Sequence, residues 1–227
     1  MQINKLLTTV NYRKATNKQN KYIVMHFVGA TGGAEANCKY FHAVYRGASA
    51  HYFVGHKGEI WQCVEDKHIS WHCGSTTYKH PYCRNENSIG IELCCKKKAD
   101  GTWYFEEETT KAAIELVKEL MKKYNIPAAN VIRHYDVTGK VCPEPYVRDT
   151  GAWNSFKASL TTDSVTSGYK VKITADTLNV RKGAGTIFKI ATQVHKNEVY
   201  TIVQEYNGWG KLKSGAGWIK LSYTKKI

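Results

Sequence analysis

Three side chains raise the first chemical question. His26 interrupts the apolar run "YIVMHFV" (22–28), and His134 and Cys142 stand eight positions apart in "RHYDVTGKVCP" (133–143). Two imidazoles and a thiolate suit zinc, and three protein donors with an open fourth position mark a catalytic rather than a closed structural site. Each residue also has a plainer reading. A histidine within an apolar strand can be a hydrogen-bonded core residue, and a cysteine can be buried filler. His26 and His134 lie 108 positions apart, which leaves no local ligand spacing to recognise, and His42, His51, His56, His68, His72 and His80 compete for the same role. Residue chemistry alone leaves zinc as one option among several.

Any such site needs elements to hold it. "YIVMHFV" reads as a buried strand bounded by Gly29. Residues 33–47 suit a helix ending near Gly47. "AHYFVG" and "EIWQCV" read as two short strands around the turn "HKG", and "SIGIEL" (88–93) as another strand. The segment 106–127 predicts the clearest helix. Its apolar residues 113, 114, 117, 120, 121 and 124 form one stripe at helical spacing. Glu106–Glu108 and Lys122–Lys123 complement the helix dipole at its two ends, and Pro127 stops it. "NVIRH" (130–134) then reads as a short strand delivering His134. The expectation for residues 1–157 is an α/β domain, a mixed sheet flanked by helices. Residues 158–168, "ASLTTDSVTSG", read as a Ser/Thr-rich linker. Residues 169–227 hold short strands split by Gly, Asn and Lys turns, which predicts a small all-β barrel.

Bulk properties narrow the function classes. The chain has 227 residues, and 42% hydrophobic content allows a real core. No apolar run approaches the roughly 18 residues of a membrane span. The first 21 residues lack the apolar centre of a standard secretory signal, so synthesis in the cytoplasm is expected. Seven cysteines, an odd number with no C-x-x-C pair, point to free thiols rather than a disulfide framework. Net charge is +14: residues 1–160 hold 22 Lys/Arg against 15 Asp/Glu, and residues 161–227 hold 11 against 4. The C-terminal part is the more densely basic, which favours an anionic partner. Nucleic acid is disfavoured, because the chain has neither zinc-finger ligand spacing nor a nucleic-acid motif.

Five stretches, "VMH", "AHYFVGHKGEIWQCV", "WHCG", "SIGIEL" and "RHYDVTGKVCP", occur in an order that resembles the type 2 N-acetylmuramoyl-L-alanine amidases, over roughly residues 20–155. The resemblance implies a zinc enzyme that cleaves the amide joining N-acetylmuramic acid to L-alanine in peptidoglycan. It implies His26, His134 and Cys142 as zinc ligands and Glu92 and Lys140 as catalytic residues. His51 falls where some relatives carry a catalytic tyrosine, and Trp71 and His72 are candidates to line the sugar-peptide groove. In the smaller part, "LNVRKGAGTIFKIATQV" and "GWGKLKSGAGWIKL" resemble bacterial SH3-like domains, which implies binding to the cell wall, including its anionic polymers. Tyr206, Trp209 and Trp218 are the candidate wall-binding residues. Together these imply a phage or prophage endolysin acting on Gram-positive walls after release through a holin-type pore or by lysis. The alternatives are a mother-cell lytic amidase and a non-catalytic peptidoglycan-recognition protein.

Overall fold

A computed structural model describes residues 1–161, 168–206 and 208–227. It divides into two compact units, Met1–Trp153 and Asn154–Ile227. The first is built on a six-stranded sheet in the order Ile3–Lys5, Ile60–Gln62, Tyr52–Val54, Ser88–Leu93, Tyr22–Phe27, Val131–Arg133. Every neighbouring pair is parallel except Tyr52–Val54 with Ile60–Gln62, the hairpin around "HKG". The central strands Tyr22–Phe27 and Ser88–Leu93 are apolar along most of their length, as expected for parallel strands covered on both faces. Ile23, Val24, Met25, Ile89, Ile91 and Leu93 are fully buried.

The expected helices form, with changed ends. The first spans Ala34–His42 and stops short of Gly47. Side chains from the preceding segment take its last carbonyls: Thr8 Oγ1 donates to Phe41 O at 2.6 Å, and Asn11 Nδ2 donates to Phe41 O and Val44 O at 2.7 Å each. These bonds satisfy C-terminal acceptors that another helical turn would otherwise claim. The second helix spans Glu107–Tyr124, with Asn125 in the left-handed region at φ 51° closing it. Its buried face is Thr109, Ala113, Leu116, Val117 and Leu120, so Leu116, outside the expected stripe, is central to the packing, while Ile114, Met121 and Tyr124 lie at the margin. The strand expected to end on His134 ends at Arg133, and His134 opens a short helix, His134–Thr138. That turn is locked where Arg133 N donates to Asp136 Oδ2 at 2.9 Å and the guanidinium pairs with the same carboxylate at 2.7 Å. The basic run at 96–98 is exposed, and Lys96–Lys97 pairs with Trp103–Tyr104 in a small hairpin. All seven cysteines are free and buried.

Beyond the helical residues 154–161, the described part of the second unit is built on strands. One antiparallel sheet runs in the order Ile190–His195, Thr177–Arg181, Trp218–Lys220, Trp209–Leu212, Val199–Tyr206, Tyr169–Ile173, Thr224–Lys226. Val171, Ile173, Leu178, Val180, Val194, Ile202, Leu212 and Ile219 form its core. The three candidate wall-binding residues differ in exposure. Trp209 and Trp218 are buried at 7% and 8% exposure, because each lies on an inner strand. Tyr206 is half-buried, and the more exposed aromatic is Tyr223. The stretch 158–168 is the expected linker. Residues 158–161 continue the helix Thr150–Thr161, and 162–167 lie outside the described residues. Among the described residues, no helix is long and apolar enough to cross a membrane.

Leu116 tests the packing of the long helix on the sheet. Leu116→Ala removes a side chain only 1% exposed and is expected to cost about 3 kcal/mol. The check is the urea midpoint of the first unit; an unchanged midpoint would contradict the packing described.

Candidate active site

The sheet register brings the chemistry together. Tyr22–Phe27 and Ser88–Leu93 pair in parallel with His26 directly opposite Glu92. On the other side, Arg133 is opposite Met25, so the next residue, His134, arrives beside His26. The two rings meet edge to face with centroids 4.6 Å apart. Cys142 returns to the same place through a tight loop. Gly139, at φ 89°, turns the chain out of the short helix, and the Tyr135 and Cys142 backbones are joined by a 2.8 Å hydrogen bond. The Cys142 Sγ lies 3.7 Å from His26 Nδ1.

His26, His134 and Cys142 are all buried, and their donor atoms lie within 4.8 Å of one another, close enough to hold a metal ion. The donor set and spacing pass a simple test. A tetrahedral zinc with its usual bond lengths sets a nitrogen and a sulfur donor about 3.6 Å apart, close to the 3.7 Å between His26 and Cys142. His134 Nδ1 and Glu92 Oε2 are buried without a hydrogen-bond partner. Unpartnered buried polar atoms are costly unless something else satisfies them.

Burial dominates the electrostatics. It drives the His26 imidazole well below its ordinary pKa, with His134, His72 and Lys140 adding to the effect. His134 is brought down to about 4, chiefly by burial. Both rings are therefore neutral at pH 7, as metal ligands must be. Burial, then the neighbouring Glu92 charge, pushes the Cys142 thiol up to about 12. Glu92 is raised to about 7 by burial, partly opposed by the Lys140 ammonium. A carboxyl poised near 7 can both take and return a proton at neutral pH.

Beside the cluster lies a cleft of about 430 Å³, lined among others by Trp71, His72, Asn85, His134, Thr138 and Lys140. Trp71, His72 and the exposed Lys140 line the cleft. His51 does not. It is 0% exposed, and its ring nitrogens are engaged internally. Nδ1 accepts from Gly90 N–H at 3.0 Å and meets Ser70 Oγ at 2.8 Å, while Nε2 meets His68 O at 3.1 Å and Lys18 Nζ at 2.9 Å. His51, expected as a possible substrate or catalytic residue, thus lies away from the cleft lining, its ring beside that of His72 with centroids 5.8 Å apart. Two residues at the site went unread in the sequence. Asn85 Oδ1 accepts the backbone N–H groups of His72 and Cys73, and Ser88 shares a strand face with Glu92. The period-two spacing of Ser88, Gly90 and Glu92 was the available signal.

Three buried potential metal donors, a buried carboxyl oxygen and a cleft-lining lysine thus belong to one region of the first unit. The chain belongs to the N-acetylmuramoyl-L-alanine amidase family, whose sequence profile matches residues 16–145. A bacterial SH3 domain profile matches residues 176–225. The N-acetylmuramoyl-L-alanine amidase CwlL of Bacillus licheniformis is 35% identical over 181 residues, covering 74% of this chain and 48% of that protein. The chain spans about half the length of the curated relatives it matches. Among solved structures, a mutant endolysin from Bacillus subtilis matches at 31% identity and TM-score 0.57, over 70% of this chain and 98% of that one. The catalytic domain of XlyA matches at 30% identity and TM-score 0.58, over 70% and 99%.

Glu92 generates a pH prediction for the metal-free protein. Its pKa rises from 4.5 to about 7 on folding, so the folded state holds the proton more tightly. Stability contributed by the protonated carboxyl is present below pH 4.5 and declines as pH rises through 7. Glu92→Gln is expected to remove this decline and to raise stability at pH 8 relative to wild type by about 2 kcal/mol, discounted for the residue's partial exposure. Denaturant titrations of both proteins at pH 5 and pH 8, with chelator present, provide the check; identical pH slopes would refute the assignment.

Proposed function

We propose that the first unit is a zinc-dependent amidase that cleaves the bond between N-acetylmuramic acid and L-alanine in peptidoglycan. The observation that carries this reading is the buried His26–His134–Cys142 cluster beside a cleft that also presents Lys140, within a family-matched unit. Zinc held by those three residues would supply a Lewis acid for the amide carbonyl and would acidify a water at its open position. The chain's own groups perform the rest. Glu92, with Oε2 free of any partner and a pKa near 7, takes a proton from the attacking water and returns it to the leaving amine. Lys140 lines the cleft, where its ammonium would stabilise negative charge developing on the carbonyl oxygen. Trp71 gives the cleft an apolar wall against which a sugar or lactyl group can pack.

The second unit would hold the enzyme on its insoluble substrate. Its SH3-domain match and the 11 Lys/Arg against 4 Asp/Glu of residues 161–227 support binding to a wall carrying anionic polymers. Such a two-unit chain fits an endolysin that reaches the wall after release from the cytoplasm; the Bacillus endolysin neighbour supports that reading.

Metal analysis and mass spectrometry of muropeptides released from Gram-positive walls test the proposal together. The expected products carry a new free L-alanine amine; wall clearing without new amines would overturn the assignment. Cys142→Ala is expected to lose zinc and activity together, whereas Glu92→Gln keeps zinc and loses roughly 10²–10⁴-fold in kcat. Full activity at normal zinc content in Cys142→Ala would remove the ligand role. Lys140→Ala is expected to lower kcat roughly 10²-fold with zinc content unchanged.

A further inference from the structure

We propose that His72 is a positioning residue for the donor cluster: together with Ser88 it forms a one-way chain of hydrogen bonds that keeps the His26 proton on Nε2 and leaves the Nδ1 lone pair facing Cys142. The inference rests on the metal-site reading above and deepens it.

The direction of the chain follows from its far end. The Ser88 hydroxyl lies 2.6 Å from the Arg84 carbonyl oxygen, which can only accept, so the single hydroxyl proton goes there. Ser88 Oγ also lies 3.1 Å from His72 Nε2. With its own proton committed, the hydroxyl can only accept at that contact, so His72 carries its N–H on Nε2. A neutral imidazole has one N–H and one lone pair, and the His72 lone pair is then on Nδ1. That atom lies 3.0 Å from His26 Nε2, which must be the donor. His26 is left with an unprotonated Nδ1, the nitrogen 3.7 Å from Cys142 Sγ. Every proton along Arg84–Ser88–His72–His26 is assigned by a backbone carbonyl four residues before the serine.

Packing holds the ring that transmits this order. His72 stands edge-on to His26, at 90° with centroids 5.1 Å apart. Its backbone N–H is tied to Asn85 Oδ1 at 3.2 Å. The ring lies so close over the Ser88–Leu93 strand that a Cβ on Gly90 would sit 2.4 Å from His72 Cγ and 2.8 Å from Nδ1. The missing side chain at Gly90 is therefore part of the device, since any other residue would push the ring away from His26. A partner that orients a ligand histidine tunes metal affinity without touching the metal. Although His72 also lines the cleft, this role predicts effects in the absence of substrate.

The experiment measures zinc affinity by competition with a chromophoric chelator at pH 7.5, for the full-length wild type and for His72→Phe, His72→Asn and Ser88→Ala. The cobalt-substituted form of each is recorded as a second readout. His72→Phe keeps the ring shape and removes the acceptor; it is expected to weaken zinc roughly 10–100-fold and to change the cobalt spectrum. The Asn carbonyl can accept from His26 Nε2, so His72→Asn is expected to recover most of that affinity. Ser88→Ala is expected to weaken zinc several-fold in the wild-type background and to change nothing when added to His72→Phe, because it acts through the same ring. Zinc affinity of His72→Phe within twofold of wild type would overturn the proposal. So would His72→Asn as weak as His72→Phe, which would mean that shape alone matters. If His72→Phe does not fold, the Asn and Ser88→Ala affinities decide the question. Failure of the wild type to bind zinc would instead remove the metal-site reading.

Discussion

The parallel pairing of Tyr22–Phe27 with Ser88–Leu93 is the contact on which the site depends. It places His26 directly opposite Glu92, and a third parallel strand, Val131–Arg133, ends beside His26 so that His134 follows at once. Parallel strands cannot be joined by a tight turn and need long crossovers. The donor at position 26 must therefore meet donors more than 100 residues later, and register alone decides whether they meet. A slip of one residue would turn His26 to the opposite face of the sheet and take it from both partners.

Burial is the second constraint, and the site uses it in two ways. Water is kept from the donors, so the His26 and His134 imidazoles stay neutral and Glu92 is raised to about 7. Burial also makes every unpaired polar atom costly. His134 Nδ1 and Glu92 Oε2 are such atoms. His51 and His72 show the opposite treatment, with both ring nitrogens of each engaged by protein groups. Nearby histidines thus divide into those left open and those closed by the fold around them.

The second unit has a different logic. Its strands combine consecutive hairpins with long-range pairs, Tyr169–Ile173 lying against Thr224–Lys226, and gather eight apolar side chains into one core. Trp209 and Trp218, on inner strands, are buried as well.

Much of this was legible in the sequence. Apolar runs and helical periodicity located the strands at 22–28 and 88–93 and the helix over 107–124, because local pattern determines which segments can bury a face. Residue type identified the candidate donors, since only a few side chains can bind zinc or carry a proton at neutral pH. The sequence could not show that the first helix ends at His42, because the bonds that stop it come from Thr8 and Asn11, about 30 residues earlier. Nor could it separate His51, sealed behind the site, from His72, which points its Nδ1 at His26. Hydrogen-bond direction and burial arise between strands that are distant in the chain. The sequence by itself determined which atoms could do the chemistry, and only the tertiary structure decided which of them face one another.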